Sequence, residues 1–153
     1  PSEDGTVTFA DDFRSQLYLH AGRVTNSAEV RWVPGALRMF GKQGFANEAA
    51  VDYHFVSARP LQDVAVQLTC SADKTNFGAS VELSVSLDGE AFQPVIATDA
   101  EGRTSFQGDL TLRPDLGEGA TDVWVRIRLL NNCGVDTKQA SPSVSRLTLT
   151  GRS

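Results

Sequence analysis

The chain has 153 residues, 41% hydrophobic and 22% charged, a size and balance that fit one globular domain and exclude a disordered tail or a coiled coil. Fourteen Lys plus Arg against nineteen Asp plus Glu leave a net charge of -5, which opposes attraction to nucleic-acid phosphates and anionic lipid. No apolar run approaches the roughly 18 residues of a membrane span, so neither nucleic acid nor membrane is expected as a partner. The chain opens on Pro1 and shows no repeat or linker, so residues 1–153 are read as one domain, a monomer, belonging to a longer protein.

Period-two alternation dominates the pattern. Thr6 to Phe9 is the first expected strand. Pro34-Gly35 suits the central positions of a type II turn between strands at Glu29 to Val33 and Ala36 to Phe40. Ala46 to Ala50 has room for one helical turn, after which Val51, Tyr53 and Phe55 alternate with Asp52, His54 and Val56 up to Pro60. Val64, Val66, Leu68 and Cys70 share one face of the next strand, with Gln67 and Thr69 on the other. Val81, Leu83, Val85 and Leu87 lead into Asp88-Gly89, the signal of a two-residue type I′ hairpin. That hairpin sets Val85 opposite Phe92, Leu83 opposite Pro94 and Val81 opposite Ile96. Strands at Gly108 to Leu112, at Val123, Val125, Ile127 and Leu129, and at Val144, Leu147 and Leu149 complete nine or ten, and with no convincing helical stripe they describe an all-β, antiparallel two-sheet β-sandwich.

Cys70 and Cys133 both carry inward parity, so two readings stand side by side: a disulfide, or two separate buried thiols. Known catalytic motifs are absent, and no pair of acids is marked out for glycoside hydrolysis. His20 reads as a loop residue and His54 as a strand residue facing out beside Asp52. Trp124 is more informative. Its strand already has a full inward set, and its own outward face continues with Arg126 and Arg128. A flat indole beside guanidinium groups suits a sugar ring and its hydroxyls or carboxylates, while an indole covered by a loop is the structural alternative. Gln67, Glu82 and His54 are further outward polar candidates. Phe77, in the polar loop Asp73 to Gly78, either meets a ligand or plugs the end of the sandwich, and Phe45 has the same ambiguity. No cofactor is required. A structural calcium ion is one option, with Asp11, Asp12 and Asp136 as its weakly marked ligands.

The segments Phe9-Ala10-Asp11-Asp12-Phe13, Trp32 to Met39, Ser84 to Phe92, Val125 to Leu129 and Leu147 to Gly151 together resemble the jelly-roll modules of secreted bacterial carbohydrate-active enzymes. The resemblance spans nearly the whole chain, but its motifs are structural. It implies a jelly-roll sandwich acting as a noncatalytic carbohydrate-binding module, secreted, that holds a neighbouring catalytic domain of the same chain on a polysaccharide or oligosaccharide. A structural or adhesive sandwich contacting protein is the alternative, followed by a small polysaccharide-degrading enzyme.

Overall fold

A computed structural model describes residues 5–18, 22–25, 30–40, 47–132 and 140–153; His20, Phe45, Cys133 and Asp136 lie outside them. The strands are β1 (Thr6–Asp11), β2 (Gly22–Thr25), β3 (Val30–Val33), β4 (Ala36–Phe40), β5 (Asn47–Asp73), β6 (Ser80–Ser86), β7 (Val95–Ala97), β8 (Ser105–Leu112), β9 (Ala120–Asn131) and β10 (Ala140–Arg152). One helical turn, α1 (Lys74–Phe77), follows β5. Every pairing among the described residues is antiparallel.

The front sheet runs β2, the first half of β5, β9, β6, β7. The back sheet runs β3, β4, β10, the second half of β5, β8, with β1 lying along β10 beyond the end of β4. β5 serves both sheets. Its residues 47–56 pair with β9, and its later residues pair with β10 and β8. Pro60 sits where the β9 ladder is interrupted, between Val56 and Leu61, a stretch where a missing N–H breaks no pairing. The two strands expected on either side of Pro60 are therefore one long strand that changes sheets.

The inward sets close a single core between the sheets. Val123, Val125, Ile127 and Leu129 of β9 are fully buried, as are Val81 and Leu83 of β6, and Val66 and Leu68 of β5. The uneven spacing of Val144, Leu147 and Leu149 is a β-bulge, because the pairing with β5 shifts between Val144 and Arg146 and restores the inward phase. The expected Pro34-Gly35 turn is present, with Val33 paired to Ala36 and Gly35 at φ +91. Trp32 packs against the core and donates its indole N–H to the Phe13 carbonyl at 2.7 Å.

Three expectations need correction. Residues 47–50 are strand, not a helical turn, because they pair with β9 from the start of β5. Asp88-Gly89 is not a type I′ hairpin: only Gly89 has positive φ (+77), where that turn needs two such residues. Side chains build a longer loop instead. Ser86 Oγ accepts the Gly89 N–H at 2.9 Å, and Asp88 Oδ1 accepts the N–H groups of Glu90 and Ala91 at 2.8 and 2.9 Å. Leu83 consequently faces Ile96 rather than Pro94. Finally, Cys70 is a free, buried thiol and not half of a bridge. β9 ends at Asn131, so the alternation that gave Cys133 its inward parity stops short of it.

Candidate functional site

The outer face of the front sheet gathers five of the seven expected ligand residues. Register explains how. His54 of β5, Trp124 of β9 and Ser86 of β6 form one cross-strand row; Asp52, Arg126 and Ser84 form the next; Ala50, Arg128 and Glu82 form the third. Directly opposite side chains on one face lie within contact range, so each row becomes an interacting set.

In the first row the His54 imidazole stacks on the Trp124 indole, centroids 3.8 Å apart and planes within 6°. His54 Nε2 meets Asp122 Oδ1 at 2.9 Å, and that contact holds the Asp122 carboxyl below its usual range. A Cβ placed on Gly89 would lie 2.9 Å from Trp124 Cε2 and 3.0 Å from Nε1. Those atoms cannot share one side of the ring with a stacked imidazole, so Gly89 covers the other. Parity correctly turns Trp124 outward, but the open stacking platform expected there is a ring enclosed between His54 and the β6–β7 loop.

In the second row Arg126 forks onto Asp52, Nε to Oδ1 at 2.7 Å and Nη2 to Oδ2 at 3.0 Å. Asp52 is 1% exposed, and the pairing raises the Arg126 pKa, the Asp52 hydrogen bond being the main cause. Phe92 lies over this guanidinium, its ring centroid 3.8 Å from Cζ, a cation–π contact. The β6–β7 loop that carries Phe92 also hides Ser84 and Ser86, which are only 4% and 2% exposed.

In the third row Arg128 donates from Nε to Glu48 at 2.6 Å and from Nη1 to Glu82 at 2.8 Å. These bonds raise the Arg128 pKa and lower that of Glu48. Between this row and the loop lies a groove of about 320 Å³, walled by Phe92 and Val95 and floored by Ser84, Glu82, Arg126 and Arg128, with Glu48 at its edge.

The remaining expected residues lie elsewhere. Gln67 is on the back sheet, where it and Thr69 donate to Asp109 at 3.1 and 2.6 Å. Phe77, the last residue of α1, packs against the core, which makes it the plug and not an exposed ligand contact. Asp11 is buried and receives the Tyr53 hydroxyl and the Phe13 N–H, both at 2.9 Å. Asp12 is exposed and accepts the Arg14 N–H at 3.1 Å. The two acids thus serve different neighbours, and no cluster of three His, Cys, Asp or Glu side chains fit for a metal occurs among the described residues.

Phe92 and Glu48 escaped the sequence reading. The two-residue hairpin sets Phe92 opposite Val85; Pro94, a poor strand residue, signals instead that the loop runs longer. Glu48 shares the parity of Asp52 and His54, which a strand reading of residues 47–50 reveals.

Neither a protein-family model nor a curated protein matches the sequence. Solved structures do match it in fold. TmCBM27, a carbohydrate-binding module known for specific mannan recognition, aligns over 97% of this chain and 99% of its own with a TM-score of 0.57 and 12% identity. The xylan-binding module CBM15 aligns over 96% and 97% with a TM-score of 0.50 and 16% identity. The C-terminal CBM6 of LamC, a marine laminarinase from Zobellia galactanivorans, aligns over 94% and 99% with a TM-score of 0.50 and 9% identity. Coverage near completeness on both sides means that the whole sandwich is shared, and the chain has the β-sandwich fold of carbohydrate-binding modules.

Proposed function

We propose that the chain is a noncatalytic carbohydrate-binding module whose ligand lies in the groove beside Phe92. The observation that carries this reading is an aromatic wall set next to a strip of charged hydrogen-bonding groups in an open depression on a sheet face. Phe92 supplies apolar ring surface for a sugar, and Arg126, set against one face of the ring, fixes its orientation. Glu48, Arg128 and Glu82 supply an acceptor, donor, acceptor sequence along the floor. Likeness in fold to modules named for mannan and xylan supports the reading.

A glycosidase needs one carboxyl held protonated near neutral pH, whereas Glu48 is pushed the other way by Arg128. The parent protein in this reading is a secreted enzyme, and the module keeps it at its substrate by raising local concentration. Among the described residues no helix is long and apolar enough to cross a membrane. A glycan array with the isolated chain, followed by calorimetry, tests the proposal. Phe92→Ala should weaken the selected glycan by roughly tenfold, the worth of a stacked aromatic. Undiminished affinity removes the groove as the site.

A further inference from the structure

We infer that the groove selects uncharged glycans and rejects those bearing uronate or sulfate, a statement that rests on the groove being the sugar site. Each of its two guanidiniums is already matched by carboxylate. Arg126 is forked onto the buried Asp52 and has Phe92 over its plane, so its charge is already matched by a carboxylate and one side of it is covered. Arg128 is held from two sides, by Glu48 at 2.6 Å and Glu82 at 2.8 Å. A ligand carboxylate has two ways to reach Arg128. It must displace one of these carboxylates, giving up a charge-assisted bond, or sit beside both and meet two like charges. The chain's net charge of -5 adds a weaker, longer-range opposition to polyanions.

A sugar hydroxyl meets none of these obstacles. It is neutral and both donates and accepts, so one hydroxyl bonds a free lone pair of Glu82 while its neighbour on the ring accepts from Arg128, whose Nη2 hydrogens neither carboxylate takes. The ion pairs stay intact and position the groups in advance, which lowers the ordering cost of binding. The outward arginines of β9 thus belong to a neutral-sugar floor rather than to an anion clamp.

The test compares two panels by affinity electrophoresis and calorimetry on the intact chain. The neutral panel is unsubstituted mannan, xylan and mixed-linkage β-glucan; the acidic panel is polygalacturonate, alginate and a sulfated galactan. The expected result is binding to a neutral polymer that changes less than about twofold from low to high salt, with acidic polymers at least about tenfold weaker. Glu48→Gln combined with Glu82→Gln uncovers Arg128, and this variant should gain salt-sensitive affinity for the acidic panel of roughly tenfold. Wild-type preference for an acidic polymer, abolished by Phe92→Ala, overturns the charge argument while leaving the groove as a sugar site. A natively folded double variant with no gain overturns the role given to the two carboxylates. Binding to neither panel removes the groove reading and this inference together.

Discussion

Replacing Gly89 by alanine probes the packing that encloses Trp124, and the structure fixes the size of the effect. Gly89 sits at φ +77, a conformation that costs an L residue about 1–2 kcal/mol. Its new methyl group would stand 2.9 Å from Trp124 Cε2 and 3.0 Å from Nε1, closer than carbon atoms tolerate. The indole has no easy retreat, since His54 is stacked behind it at 3.8 Å and is itself tied to Asp122. Overpacking of this kind costs about 1–3 kcal/mol, so Gly89→Ala should destabilise the domain by about 2–5 kcal/mol in total. The two contributions separate in a double-mutant cycle. With Trp124→Ala already present the steric part vanishes and only the backbone part remains, so the coupling energy should be about 1–3 kcal/mol. Urea denaturation of the wild type, both single variants and the double variant measures it, provided that the slopes agree. Additivity within about 0.5 kcal/mol means that Gly89 does not press on the ring, and the enclosed-indole account fails.

Asp52→Asn removes the charge beneath Arg126 and should cost about 1–3 kcal/mol, less than a fully buried pair because the guanidinium reaches solvent; an unchanged urea midpoint refutes the pairing. The Cys70 thiol, whose pKa burial pushes up to about 12, should resist a thiol reagent at pH 8 until the protein unfolds, as peptide mapping will show. The same shift means that folding favours the neutral thiol, so its contribution is complete below pH 9 and fades as pH rises toward 12; an alkaline midpoint that stays level contradicts it. At the acid end Asp88 is held down to about 2 by the Glu90 and Ala91 N–H groups, and Asp73, Asp122 and Glu48 are also lowered. These carboxyls bind protons more readily in the unfolded chain, so stability should be lost as pH falls from about 4.5 toward 2, and equal midpoints at pH 6 and pH 3 refute this.

Which parts of this molecule are legible in its sequence follows from the range of the interactions involved. Alternation in β9 reports faithfully because one side of the strand meets a closed core, and period two leaves no freedom about which residues do so. The same logic places Trp124, Arg126, Arg128 and Glu82 on the outer side. What it cannot supply is the order of strands. Arg126 finds Asp52 because β5 lies beside β9, and Arg128 reaches Glu82 because β6 lies on the other flank. Those neighbours are 74 and 46 residues away in sequence, beyond any local pattern. Phase errors arise at irregular points for a similar reason. In β5 the inward residues are odd-numbered through Leu61 and even-numbered from Val64, and the change falls at Asp63, whose φ is +49. A loop that folds back over its own sheet is the hardest feature to foresee, since Leu87 to Pro94 covers Trp124 and Arg126 through contacts that no periodicity announces.

That loop also bears on how an exposed sheet face would serve as the binding surface proposed above. A row of bare aromatics on an open face would offer sugar contacts but also a template for self-association. Here the aromatic groups are each backed by a polar partner: His54 behind Trp124, and Arg126 behind Phe92, with Asp52 anchoring Arg126 in turn. The backing fixes the ring in advance, so little rotamer entropy would remain to be lost if the proposed ligand binds. It also couples stability to recognition in a particular order. Weakening Asp52 should loosen Arg126 first and Phe92 second, while the core set on the inner side of the same strands, from Val123 to Leu129, is untouched. Substitution at Phe92 would therefore change the groove while leaving the inner core set in place, whereas Gly89 and Gln93, whose N–H bonds the Val85 carbonyl at 2.8 Å, tie the loop to the sheet.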